Sequence, residues 1–263
     1  MTQAFSALLA AAQLHDGVWL ADVPDDWSQG RSVFGGLQAA LLLQAMRAQV
    51  PPGLPLRTLQ VTFMAPVPPG RVSTRARVLR QGKSTVHVLA EIVDGEAVLA
   101  LATAVFGAAR DSIVQLRPEQ APVDGSRAMK FPYIPGVTPD FTRHFSVHWL
   151  QGKPPYMGNT ETLQIVDIDM LDEGPASETQ LLAIADFMPP VALSWLRKPA
   201  PGSSMTWMIE VLDHGFTSLP LSGWRVDASL TAADEGYTSQ SCMIWGPGGV
   251  PVALSRQSMV IFG

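Results

Sequence analysis

Between Gln180 and Arg197 the chain carries a single charge, Asp186, within the apolar run LLAIADFMPP. Its closing stretch, VALSRQSMVIFG from 252 to 263, reads as a terminal strand that is apolar or small except for Arg256 and Gln257. A polar group isolated among apolar residues can be one held in place for chemistry, a carboxylate among them as a base. A carboxylate in that role needs a raised pKa, which burial supplies by disfavouring the charged form. On a helix Asp186 shares a stripe with Leu182 and Ala183, but it sits in the last turn, where the helix dipole opposes an anion. The plainer readings are an exposed aspartate before the Met-Pro-Pro stop and a polar patch on an edge strand. Arg256, beside Gln257 on a strand, is expected to face the other way. Gly35 and Gly36 open another apolar helix, where their small size would let a substrate carbonyl approach free backbone N–H groups. Close helix packing accounts for that pair equally well.

The elements that must position these residues occur twice in the chain. In the first half FGGLQAALLLQAM is followed by VTFMAPVPPG, RVSTRARVLRQG and DGEAVLALATAVFG. In the second half SETQLLAIADFM is followed by SSMTWMIEVLDHG, WRVDASLTAADEG and GGVPVALSRQSMVIFG. Gly70, Gly82 and Gly95 are spaced much as Gly223, Gly236 and Gly249, and each half closes on Phe-Gly, at 106–107 and 262–263. Self-similarity of this kind predicts two copies of one unit. The first helix is apolar from 37 to 46 except for Gln38 and Gln44, so it should be buried all round. The SETQ signal at 177–180 starts the second helix and puts Asp186 about two turns in. In RVSTRARV, Val72, Thr74, Ala76 and Val78 point one way and Arg71, Ser73, Arg75 and Arg77 the other. A buried helix wrapped by a curved antiparallel sheet is a hotdog, and the predicted fold is α+β, a double hotdog. The expected units are 1–112 and 141–263, joined by a proline-rich linker over 113–140. Counting eight residues from Gly95 and Gly249 reaches Thr103 and Gln257, and the first helix has no carboxylate from Phe34 to Met46. Only the second copy therefore carries both polar groups.

Composition narrows the class. A chain of 263 residues with 47% hydrophobic and 16% charged content can bury a substantial core. The net charge of −5 is spread along the chain without a basic stripe, which disfavours nucleic acid as a partner. One cysteine, Cys242, rules out an intrachain disulfide and points to a reducing compartment. The opening MTQAFSALLAAAQL lacks an early basic residue and reads as a short amphipathic helix. No apolar run is long enough to span a membrane, so a cytoplasmic protein is expected. His144 and His148 share a strand face without a third ligand type nearby, and no metal site is expected. There is neither a G-x-S-x-G elbow nor a Gly-rich phosphate loop.

VFGGLQAA, VTFMAPVPPG, DGEAVLALATAVF and VALSRQSM resemble the acyl-CoA thioesterases of the thioesterase II type, over about residues 15 to 263. In that family an aspartate of the second helix, a hydroxyl residue opening the next strand and a glutamine of the last strand are catalytic. The resemblance implies Asp186 as base, with Gln257 and Ser204 holding the attacking water. The acidic residue often found two places after the hydroxyl is here Thr206, and on a regular strand it would share a face with Ser204, so either could serve. Gly35 and Gly36 would meet the thioester carbonyl, and Arg256 would face solvent or a CoA phosphate. Met188, Trp195, Met205, Trp207, Met208 and Met259 would shape a pocket for a medium to long, or aryl, acyl chain. A thioester is already activated, so no metal or organic cofactor is implied. The partners expected are acyl-CoA and further copies of the chain. A non-catalytic acyl-CoA or lipid binder and a hotdog hydratase or dehydratase are the alternatives.

Overall fold

The computed structural model describes residues 2–262, so the final Gly263 of the second Phe-Gly pair lies outside them. The N-terminal half comprises α1 (Phe5–Ala11), β1 (Gln13–His15), β2 (Val18–Val23), the short β3 (Ser28–Gln29) and β4 (Ser32–Val33), and α2 (Gly35–Arg47). It continues with β5 (Leu56–Phe63), β6 (Gly70–Gln81), β7 (Thr85–Asp94) and β8 (Ala97–Gly107). The C-terminal half comprises β9 (Met129–Phe131), β10 (Phe145–Gln151), β11 (Leu163–Met170) and α3 (Glu178–Ala185). Strands β12 (Gly202–Val211), β13 (Trp224–Asp234), β14 (Tyr237–Gly246) and β15 (Val250–Ile261) complete it.

Thirteen strands form one sheet in the order β1-β2-β6-β7-β8-β5-β12-β15-β14-β13-β11-β10-β9. Read outward from the central β5–β12 pair, the two halves run through corresponding elements, and all pairings are antiparallel. The fold is the double hotdog. The repeat extends to irregularities: extra residues interrupt the ladders at Arg57 and Met205, at Leu79 and Thr231, and at Leu99 and Val252. These shared bulges give the true correspondence between the copies. Gln257 opposes Trp207 as Ala104 opposes Leu59, so its counterpart is Ala104 and not Thr103. The glycine count fails by one because the turns differ in length. Gly95 and Glu96 alone join Asp94 to Ala97, whereas Pro247, Gly248 and Gly249 join Gly246 to Val250.

Both central helices are buried as their composition requires. Leu37, Leu42 and Leu43 of α2 and Leu181, Leu182 and Ile184 of α3 are inaccessible, each apolar side chain contributing about 1.5–3 kcal/mol of burial. The two glutamines of α2 are anchored through their amide nitrogens, Gln38 Nε2 donating to the Val33 carbonyl at 2.6 Å and Gln44 Nε2 to the Leu9 carbonyl at 2.8 Å, while among the described residues neither Oε1 has a partner. Ser177 caps α3, its Oγ accepting from the Gln180 N–H at 3.3 Å, and Pro189 and Pro190 follow its end. The segment expected as a linker is irregular up to 124, and the buried Arg225 holds it through the Ala121 carbonyl at 2.8 Å. Its later part joins the sheet edge, where β9 pairs with β10. Among the described residues no helix is long and apolar enough to cross a membrane.

Helices α2 and α3 run antiparallel, and Glu178 ties the C-terminus of one to the N-terminus of the other. Its carboxylate accepts from Arg47 Nε at 2.7 Å, from Arg47 Nη2, and from the Leu56 N–H at 3.0 Å. It also lies in the first turn of α3, where the dipole favours an anion. Glu178→Ala leaves a partly buried guanidinium without its counter-charge, hydrogen-bonded then to the Leu54 carbonyl alone, and the Leu56 N–H without its acceptor, which costs about 2 kcal/mol or roughly 4–8 °C in Tm. Thermal unfolding followed by circular dichroism checks this, and an unchanged Tm would mean the tie contributes nothing.

Candidate active site

At the other end of the helix pair Asp186 caps the C-terminus of α3 and meets the N-terminus of α2. Gln257 Nε2 donates to Asp186 Oδ1 at 2.5 Å, a direct bond rather than one bridged by water. The backbone N–H of Gly36 lies near this carboxylate and favours its charged form. Burial pushes the Asp186 carboxyl from 3.8 up to about 7, while Gln257 and Gly36 pull the other way. The dipole of its own helix opposes the anion there, but the N-terminus of α2 faces it and offsets that effect. The arrangement is a carboxylate poised to exchange a proton near neutral pH, held by an amide beside a backbone donor.

The two glycines divide the work that the sequence left open. A Cβ on Gly35 would lie 2.6 Å from Asp186 Oδ2, so the space it vacates is filled by the carboxylate and not left for a substrate. A Cβ on Gly36 would lie 2.9 Å from the Ala183 Cα and 2.7 Å from the Phe34 ring, so this glycine serves close helix packing. The Phe34 carbonyl takes the N–H groups of Leu37 and Gln38, so among the described residues Gly35 and Gly36 hold the donors left at this helix start.

A family model described as the acyl-CoA thioesterase N-terminal domain matches residues 23–107, and one described as the acyl-CoA thioesterase C-terminal domain matches 118–261. The chain belongs to the acyl-CoA thioesterase family. In fold it is similar to a hot dog fold protein from Alicyclobacillus acidocaldarius, with a TM-score of 0.87, 21% identity, and 100% and 99% of the two chains covered. It is also similar to acyl-CoA thioesterase II from Mycobacterium marinum, with a TM-score of 0.75, 16% identity and 97% of each chain covered. No curated protein matches it by sequence. At these identities the two solved structures speak for the fold alone, and the family models support a thioester hydrolase.

The remaining residues expected in this thioesterase fall on both faces of the sheet. The bulge at Met205 changes the parity of β12, so Ser204 opposes the buried Met259 while the exposed Thr206 opposes Ser258. Ser204 therefore faces the helices and Thr206 faces away, correcting the expectation that either hydroxyl could serve. Among the described residues Ser204 Oγ makes no hydrogen bond to Asp186 or Gln257, although it lies on their side of the sheet. Trp207 is buried directly opposite Gln257 and donates to Ser255 Oγ at 2.9 Å. Met259 is buried on the same face. Arg256 is exposed on the other face, with Nε and Nη2 each 3.3 Å from Ser239 Oγ, and is not brought to Asp186. Of the other residues expected around the acyl chain, Met188 is buried, but Met208 shares the outer face with Arg256 and Trp195 is exposed.

Burial pushes the Cys242 thiol up to about 12, so it supplies no thiolate nucleophile. His144 lies just before β10 rather than in it, stacked on Trp27 at 3.8 Å and 3.3 Å from Asp26, in the core. A cavity of about 560 Å³ lies at the Arg47–Glu178 end of the helix pair, away from Asp186. Gln240 and Thr238, which adjoin Gln257 and Met259 on the inner face, were not singled out by the sequence. In YTSQS polar residues occupy both faces of the strand, so no alternation marks the inner ones.

Proposed function

We propose that the protein hydrolyses acyl-CoA thioesters with medium to long, or aryl, acyl chains by direct attack of water. The reading rests on one observation above the others, the hydrogen-bonded Asp186–Gln257 pair with a carboxyl held at about 7. Ionised Asp186 takes a proton from water as the water oxygen bonds to the thioester carbon. Gln257 and Ser204 orient that water, and the Gly35 N–H receives the charge that develops on the carbonyl oxygen. Collapse of the tetrahedral intermediate breaks the carbon–sulfur bond, and the proton held by Asp186 passes to the departing sulfur. The products are a free acid and CoA.

Because the base must be ionised, kcat/KM is expected to rise with pH up to about 7 and then level off, following the Asp186 carboxyl. CoA release trapped by a thiol reagent measures it, and a profile flat from pH 5 to 9 would exclude this base. A series from acetyl- through hexanoyl- and decanoyl- to palmitoyl-CoA tests the chain. Trp207, Met188 and Met259 support an apolar lining, for which each buried methylene adds about 0.8 kcal/mol. Preference for acetyl-CoA would contradict it.

A further inference from the structure

Among the described residues, two buried polar side chains beside Gln257 have atoms without a hydrogen-bond partner. Gln240 is the cross-strand partner of Gln257, and Thr238 is that of Met259. Opposed residues of this kind share a face, with Cβ atoms about 5 Å apart. Gln240 is 1% exposed and Thr238 7%. The Val191 N–H donates to Gln240 Oε1 at 2.8 Å, which orients the amide and leaves its Nε2 without a partner. Thr238 Oγ1 has none either.

The first repeat shows that the scaffold does not need polar groups at these positions. With the bulges aligned, Val88 opposes Ala104 as Gln240 opposes Gln257, and Val86 opposes Phe106 as Thr238 opposes Met259. Both valines are buried. An amide and a hydroxyl therefore stand where the same unit elsewhere holds two apolar side chains, and unmet polar groups in such surroundings are costly unless something binds them. They differ from the first copy only in the repeat that carries Asp186 and Gln257.

We infer that Gln240 and Thr238 form a polar subsite for the acyl chain, and that the preferred substrates are acyl-CoA thioesters whose acyl group carries a hydroxyl or keto oxygen. This rests on the thioesterase reading above. The Gln240 amide donates to that oxygen, and the Thr238 hydroxyl, able to donate and accept, completes the contact. Since Gln240 adjoins Gln257, the oxygen sits near the thioester and not at the far end of a long chain.

The test compares kcat/KM for hexanoyl-CoA with 3-hydroxyhexanoyl-CoA, and for decanoyl-CoA with 3-hydroxydecanoyl-CoA. Wild type is expected to favour the oxygenated member of each pair by at least about 10-fold, because a site built to bond an oxygen rejects the analogue lacking it. Thr238→Val, which keeps the side-chain shape, and Gln240→Met should each reduce that ratio by several-fold, with thermal melts checking that both variants fold. Equal rates on both members, with CoA released from each, would overturn the subsite, assign the two groups to a buried water, and leave the thioesterase reading standing. Variants that slow both members alike, with the ratio unchanged, would also overturn it by placing the contact on the CoA portion. Absence of CoA release from every thioester would overturn this inference and the hydrolase reading together.

Discussion

Asp186→Asn lowers kcat by about 100-fold or more with KM nearly unchanged, the result expected when a general base is lost and binding is kept. The same variant gains stability relative to wild type as pH rises. The carboxyl moves from 3.8 in the unfolded chain to about 7 in the fold, so folding favours its protonated form. Below about pH 4 both states are protonated and the wild type bears no penalty. Between pH 4 and 7 the unfolded chain ionises first and wild-type stability falls, reaching its full loss above pH 7. That loss is at most about 4 kcal/mol, a figure that already contains the hydrogen bonds to the charged carboxylate. Melting both proteins at pH 5 and pH 8 checks the sign. A variant with normal turnover would remove Asp186 as the base, and a stability difference independent of pH would mean that its carboxyl is not shifted upward.

Gly35→Ala and Gly36→Ala separate the chemistry from the packing at one helix start. A Cβ at 35 meets Asp186 Oδ2 at 2.6 Å, and Phe63 at 3.3 Å blocks a sideways escape, so the carboxylate swings away from Gln257. We expect kcat to fall by about 100-fold, as for loss of the base itself, while Tm changes little. A Cβ at 36 meets the Ala183 Cα at 2.9 Å, which is backbone and cannot rotate aside. The helices must part, at a cost of about 1–3 kcal/mol for overpacking. Phe34, whose ring is also crowded, stacks on Phe141 at 3.9 Å, so the strain reaches the aromatic cluster behind α2. Turnover and Tm measured on both variants decide the matter. Wild-type turnover in Gly35→Ala would show that the carboxylate works without its place at the start of α2.

The repeat, both helices and the two residues that meet in the candidate site were all legible in the order of the residues. Those features are written in local order: an all-apolar run buries α2, SETQ caps α3, alternation makes the strands, and a lone carboxylate and a lone glutamine stand out against apolar neighbours. Residue types could also show that only the second copy is polar, even though the counterpart of Gln257 proved to be Ala104 and not Thr103. Where side chains point, and what they touch across distance, depended instead on the folded chain. A bulge shifts every following side chain to the opposite face, and whether one forms depends on the partner strand, so the sequence of β12 alone could not separate Ser204 from Thr206. The contact between Gly35 and Asp186 joins residues from different repeats, brought together because the sheet runs unbroken through β5 and β12 and packs α2 against α3. The upward shift of the Asp186 carboxyl arises from that enclosure, because the energy of a buried charge is set by everything around it and not by its neighbours in sequence.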